Sequence, residues 1–193
     1  PYIELQHLPL HLCSIQILLI FYARFARPGR GRTAVLAFMY PTCLIGAVLA
    51  LAMPSIFSTS LPASQAFAHP LAYQFFLYHS MLVVLGAYIP CCGEVELRPR
   101  HYFSTLGLLG ALALLSLYLN SMFAAATYED GELVSVEYAT NFFFTYKPPL
   151  PIPLTSVGQW LAYLAVICLL AVALVGLCYL PVFLHARKKA AAG

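Results

Sequence analysis

Apolar residues run through the chain in five long stretches, 9–26, 33–53, 71–92, 102–124 and 158–184. A helix needs about 20 mostly apolar residues to cross the hydrocarbon core of a bilayer, so each stretch predicts a membrane span. The breaks between them read "ARPGRGR", "PSIFSTSLPASQAFAHP" and "GEVELRPR", followed by a polar insert from Tyr128 to Thr140 and then "NFFFTYKPPLPIP". The predicted fold is an all-α polytopic transmembrane helical bundle of about five spans, forming a single membrane-embedded domain over residues 1–193. A start at Pro1 further suggests that upstream helices belong to the same domain.

Prolines and basic residues refine this picture. Pro9 suits the first turn of a helix, where no backbone donor is lost. Pro41 falls inside the second span and predicts a kink. Pro148, Pro149, Pro151 and Pro153 exclude regular helix ahead of the last span and leave an extended or re-entrant cap after Asn141. Arg24, Arg27, Arg30 and Arg32 occupy the first loop, Arg98 and Arg100 the third, and Arg187, Lys188 and Lys189 the tail. The opposite side has Lys147 against Glu129, Asp130, Glu132 and Glu137. Short cytoplasmic loops are enriched in Lys and Arg, so the N-terminus is placed outside and the C-terminus in the cytoplasm. Trp160, Tyr163, Tyr73 and Tyr102 fall near span ends, as interfacial anchors do.

Composition agrees with this assignment. Hydrophobic residues make up 62% of the 193 and charged residues 9%, whereas soluble domains carry roughly 25% charged residues. The net charge of +3 is small and its basic residues form no stripe interleaved with exposed aromatics, which excludes nucleic acid as a partner. Six cysteines without repeating spacing do not make a disulfide framework. Cys43, Cys168 and Cys178 read as packing residues, and the vicinal Cys91 and Cys92 as interfacial ones. Membrane lipids are the expected partners, with neighbouring membrane proteins as a further class.

Candidate chemistry lies in polar groups inside apolar spans, where each needs a partner. "LPLHLCSIQILLIF" places a histidine, a cysteine, a serine and a glutamine within two turns. His79 stands about two turns inside the outer boundary in "QFFLYHSMLVVLGAY". His11 and Ser14 lie about a turn inside that boundary, Asn120 near the outer end of the fourth span and Asn141 in the outer cap. At about 100° per residue His11 and Ser14 are ~60° apart, but His11 and Cys13 are ~200° apart, so a base for Cys13 must come from another helix. His79 is the candidate, since a histidine that reaches a thiol or hydroxyl can remove its proton for acyl transfer. Equally, a lone intramembrane histidine can be a satisfied contact between helices.

His7 and His11 have an i, i+4 spacing that can chelate a metal, but Pro9 between them and the lack of an acidic ligand argue against one. No metal and no cofactor are expected. His69, His101 and His185 read as boundary residues, and "EVELRPR" as a solvated turn. The aromatics in and around "YATNFFFTY" suit either a cover over a lipid tail or packing against protein.

"LPLHLCS", "YHSMLVVLGAY" followed by "ELRPR", and "TNFFF" before a proline-rich turn resemble, in this order, motifs of the bacterial YwaF-type integral membrane proteins. The resemblance covers nearly the whole chain and implies about two further spans upstream and a multi-pass place in the bacterial inner membrane. More distantly the chain is similar to a eukaryotic transmembrane acyltransferase family that makes ether phospholipids, itself related to androgen-induced-gene-type lipid hydrolases that use a threonine and a histidine. That similarity implies a catalytic role for His79. At the position of the family's cysteine this chain has Leu10. Cys13 lies ~60° to one side of Leu10 and Ser14 ~40° to the other, so either can offer a nucleophile near the same place. The expected function is transfer or hydrolysis of lipid acyl chains by Cys13, or Ser14, with His79, supported by His11, Asn120 and Asn141. The alternative is a non-catalytic membrane subunit that packs against a partner complex or lines a lipid or small-solute path.

Overall fold

A computed structural model describes residues 10–54, 56–59, 61–65, 67–129, 132–150 and 152–191. Five main helices follow the five apolar stretches: α1 (Leu12–Phe25), α2 (Arg30–Ala52), α4 (Pro70–Cys91), α5 (Pro99–Met122) and α6 (Val157–Ala191). A single turn, α3 (Ile56–Thr59), interrupts the link between α2 and α4. Four of these helices are long and apolar enough to cross a bilayer. With 14 residues, α1 extends only about 21 Å, short of the ~30 Å hydrocarbon core, so the expected fifth full span is a shorter apolar helix. Its far end is set by "ARPG", where Pro28 disfavours helical backbone before it and Gly29 caps the next helix.

The packing is built around α2. Residues 36 to 43 of α2 are all buried, and the helix packs against α1, α4, α5 and α6. Its approach to α4 depends on Gly86, where an added Cβ would lie 2.8 Å from Leu44 Cγ and 3.1 Å from the Leu44 backbone nitrogen. Small residues permit such close helix contacts in a membrane, where no hydrophobic force drives helices together. Hydrogen bonds fasten the other side. Tyr179 on α6 donates to the Ala37 carbonyl at 2.9 Å, Thr105 on α5 to the same carbonyl at 3.3 Å, and Tyr40 to the Cys178 carbonyl at 2.6 Å. Pro41 sits inside α2, which continues through it as one helix.

The polar insert, read from the sequence as a loop, is an antiparallel hairpin of β1 (Ala124–Glu129) and β2 (Glu132–Tyr138). Its register pairs Ala124 with Tyr138 and shifts between Thr127 and Tyr128. Ala126–Thr127–Tyr128 on one arm and Val134–Ser135–Val136 on the other supply the β-branched and aromatic side chains that favour strands. Cys43 is buried as expected and Cys178 half-buried, but Cys168 is exposed on α6, a correction to its reading as a packing residue. Because α6 is apolar around its whole circumference and contacts little of the chain, many of its side chains face outward regardless of type.

Candidate functional site

The polar groups of the opening stretch divide between two neighbours. Gln16, fully buried, donates from Nε2 to Thr42 Oγ1 at 3.0 Å and to the Leu12 carbonyl at 3.2 Å, while its Oε1 accepts from Cys43 Sγ at 3.3 Å. Thr42 in turn donates to the Phe38 carbonyl at 2.7 Å. Gln16 therefore locks α1 onto α2. Gln16 was visible in the sequence only as one polar residue among four; its partners lie 26 and 27 positions away and nothing local points to them.

Cys13 and His79 belong to the contact between α1 and α4. Tyr78 Oη, on the residue before His79, donates to the Cys13 carbonyl at 2.7 Å and ties α1 to α4. The Cys13 thiol sits against Gly46 of α2, where an added Cβ would be 3.5 Å from Sγ. His79, 8% exposed, holds its Nδ1 2.7 Å from the Phe75 carbonyl. A carbonyl can only accept, so Nδ1 carries the proton and Nε2 of the neutral ring presents a lone pair. Phe75 and Tyr78 clamp the imidazole at ring-centroid distances of 4.3 and 5.4 Å. Among the described residues no hydrogen bond joins His79 to Cys13 or Ser14. Ser14 is half-buried.

His11, Asn120 and Asn141 gather elsewhere, under the cap that precedes α6. Asn120, 2% exposed, accepts through Oδ1 from the Phe142 N–H at 3.0 Å and the Thr140 hydroxyl at 2.9 Å. Its Nδ2 donates to the Phe142 carbonyl at 3.1 Å and Thr145 Oγ1 at 2.9 Å. Asn141 shapes the same turn from outside, accepting from the N–H groups of Tyr146 and Lys147 at 3.2 and 3.0 Å and donating to the Lys147 carbonyl at 2.8 Å. Trp160 Nε1 donates to the Thr145 carbonyl at 3.1 Å and Tyr163 to the Phe144 carbonyl at 2.6 Å. Phe143 and Phe144 have φ of 57° and 54°, left-handed backbone that bulky residues adopt only when their surroundings impose it. His11, the N-cap of α1, packs edge-on against Phe142 at 5.2 Å between ring centroids.

His11 and Asn120 thus meet at Phe142, with Asn141 in the same turn, whereas Cys13 is tied to α4 through the Tyr78 bond to its carbonyl while its thiol lies against Gly46 of α2. Asn120 and Asn141 act here on backbone geometry, with their amide groups engaged by the cap. Thr140, Thr145 and Trp160 complete the cap and were not read from the sequence as site residues; the signal available was "ATNFFFT", where polar residues flank aromatics. His7 and Pro9 lie outside the described residues. Among the described residues no group of three His, Cys, Asp or Glu side chains is placed to hold a metal ion.

The other end of the bundle joins the basic loops. Arg32 Nη2 lies 2.7 Å from Glu94 Oε2 and its Nε donates to the Ala23 carbonyl at 2.9 Å, so "EVELRPR" is fastened to the first loop and is more than a solvated turn. His69 and His101 do mark helix starts: each accepts through Nδ1, from the Leu71 and Arg98 N–H groups, both at 3.2 Å.

Comparison with curated proteins and with solved structures gave no match. The TMEM164 family model matches residues 4–179, which takes in α1 through most of α6, the hairpin and both polar groups. By its sequence, and with four helices able to span a bilayer, the chain is a multi-pass integral membrane protein, in contact with membrane lipids, that belongs to the TMEM164 family.

Proposed function

We propose that the protein transfers or hydrolyses lipid acyl chains, using His79 as the base for a nucleophile on α1. The observation that carries this reading is the state of His79: Nδ1–H is held by the Phe75 carbonyl, leaving Nε2 as an oriented acceptor on the helix turn that grips Cys13 through Tyr78. An imidazole fixed through one nitrogen and basic at the other is what nucleophilic catalysis requires. In the reaction, Cys13 Sγ, or Ser14 Oγ, adds to the ester carbonyl of a lipid as its proton passes to His79 Nε2. Collapse of the tetrahedral adduct breaks the ester C–O bond, and the imidazolium returns the proton to the departing alcohol. Water or an acceptor hydroxyl, deprotonated by His79, then takes the acyl group as the bond to Sγ or Oγ breaks, and the imidazolium returns its proton to that atom. His11, Asn120 and Asn141 have a supporting role, keeping the outer cap over the entrance to α1. The resemblance to the YwaF-type proteins supports a bacterial inner-membrane setting with further helices upstream in the same domain.

Labelling of the purified protein in nanodiscs by a lipid-like electrophilic acyl probe tests this. Loss of labelling in His79→Ala and in either Cys13→Ala or Ser14→Ala, with the helices intact, is the expected result. Labelling that ignores all three substitutions excludes the reading. A second reading, a non-catalytic membrane subunit, is favoured by the missing hydrogen bond between His79 and either nucleophile; it predicts an unlabelled parent protein.

A further inference from the structure

At the end of the bundle remote from the Asn120 cap, a cleft of about 320 Å³ opens between the turn joining α1 to α2 and the segment joining α4 to α5. Two helix N-termini contribute to its walls: Gly29 is the N-cap of α2 and Arg98 that of α5. No side chain caps α2 and neither helix has an acidic residue in its first turn, so the leading N–H groups of α2 have no side-chain acceptor.

Three guanidinium groups line the cleft, those of Arg32, Arg98 and Arg100. Two carboxylates line it as well, Glu94 and Glu96, and each is already held by an arginine: Glu94 by Arg32 at 2.7 Å and Glu96 by Arg98 at 2.7 Å. The two pairs differ. Arg32 and Glu94 are one-quarter and one-third exposed, and Arg32 also binds the Ala23 carbonyl, so this pair is the frame of the cleft. The Arg98 and Glu96 side chains are 51% and 77% exposed, a setting in which an ion pair contributes little and is readily exchanged. Arg100 has no carboxylate partner among the described residues. His101 Nδ1 accepts from the Arg98 N–H, which places the proton of the neutral ring on Nε2 as one more donor in the wall.

We propose that this cleft binds a phosphate group. Guanidinium forks and the uncapped N-terminus of α2 are donors that phosphate oxygens match well, and Arg98 can exchange the Glu96 carboxylate for a phosphate while the Arg32–Glu94 frame stays closed. Its place among the basic loops sets it at the level of the headgroups of one leaflet, where basic pockets between helices hold anionic lipids. The chemistry is shared by a lipid phosphomonoester and by a free phosphorylated solute. This site is independent of the acyl-transfer reading, since it uses none of its residues.

The full chain in phosphatidylcholine nanodiscs is compared with nanodiscs containing phosphatidic acid, reading bound lipid by native mass spectrometry, and inorganic phosphate is titrated into the phosphatidylcholine sample. Arg98→Gln with Arg100→Gln is expected to weaken phosphate-group binding about tenfold, the equivalent of one lost charge-assisted contact. Glu96→Gln, which frees Arg98, is expected to strengthen it severalfold. Phosphatidic acid retained with no binding of inorganic phosphate assigns the site to a lipid headgroup; inorganic phosphate that binds and displaces the lipid assigns it to a free phosphate. Either result needs the opposed response of the two variants. Neither ligand binding the parent, or binding that both variants leave unchanged, overturns the proposal. Because the substituted side chains are exposed, the thermal midpoint of each variant should match the parent and separates lost binding from lost fold.

Discussion

Asn120 and His79 are both buried polar side chains at the same end of the bundle, and they are satisfied to different degrees. Asn120 has all of its capacity engaged, two acceptances and two donations, all to the cap. His79 uses one nitrogen, and the bond goes to the carbonyl of its own helix four residues back. A saturated amide is a structural lock, because every bond it makes fixes backbone and none is free for a ligand. A ring held on one side only has reactive capacity left. The same contrast separates Gln16, which joins α1 to α2 through Thr42 and Cys43, from Cys13, whose thiol packs while its carbonyl does the bonding.

Substitutions can break this comparison. On the proposed acyl-transfer reading the largest effect belongs to His79→Ala: a loss of about 10²- to 10⁴-fold in rate, the range for removing a general base, with stability changed by ~1 kcal/mol or less. Turnover of a lipid ester by this variant at the parent rate would place His79 with the structural residues. Asn120→Ala should behave oppositely. Leaving the Phe142 N–H and Thr140 hydroxyl without their acceptor should destabilise the protein by about 3 kcal/mol and expose the cap to protease. Unchanged thermal unfolding and cleavage would show that the cap does not depend on this amide.

Gly86→Val tests the frame on which both groups stand. The added atoms meet Leu44 at its side chain and backbone, and a loss of about 1–3 kcal/mol is expected from overpacking, read by thermal unfolding in detergent. Tyr78→Phe is smaller, about 1 kcal/mol for the bond to the Cys13 carbonyl. It should lower acyl-transfer rate more than stability if the contact of α1 with α4 positions the nucleophile. The smallest effect is that of Glu96→Gln on stability. The hydrogen bond from Arg98 holds the Glu96 carboxyl below the usual carboxylate range, so any stabilisation by the charged form is present above its unfolded-state pKa and fades as pH falls through the folded one. As the side chain is exposed, acid titration of the parent and of Glu96→Gln should give superimposable unfolding curves.

The helices were legible because a bilayer imposes a rule that acts residue by residue: about 20 apolar residues in a row leave little else to form. The stretches 33–53, 71–92, 102–124 and 158–184 became α2, α4, α5 and α6 within a few residues at most boundaries, with α6 running on to Ala191. The polar insert was legible only as non-membrane, since its strand pattern is short and its pairing depends on the partner strand. Among the candidate residues His11 and Cys13 do part, His11 packing on Phe142 and Cys13 on Gly46, but His11 is the extended N-cap ahead of α1, so helical periodicity is not what separates them.

Alone, then, the sequence determined that this is a multi-pass helical membrane protein, which ends of its helices are basic, and which few polar residues lie inside the apolar spans, because those properties follow from composition and from periods of a few residues. Tertiary structure decided which polar groups meet. Gln16 with Thr42, Asn120 with Phe142, Tyr78 with Cys13 and Arg32 with Glu94 are separated by 22 to 65 residues, and no local propensity selects among partners that far apart. The packing of α1 and α4 onto α2, together with the folding of the cap onto α5, brings them within bonding distance.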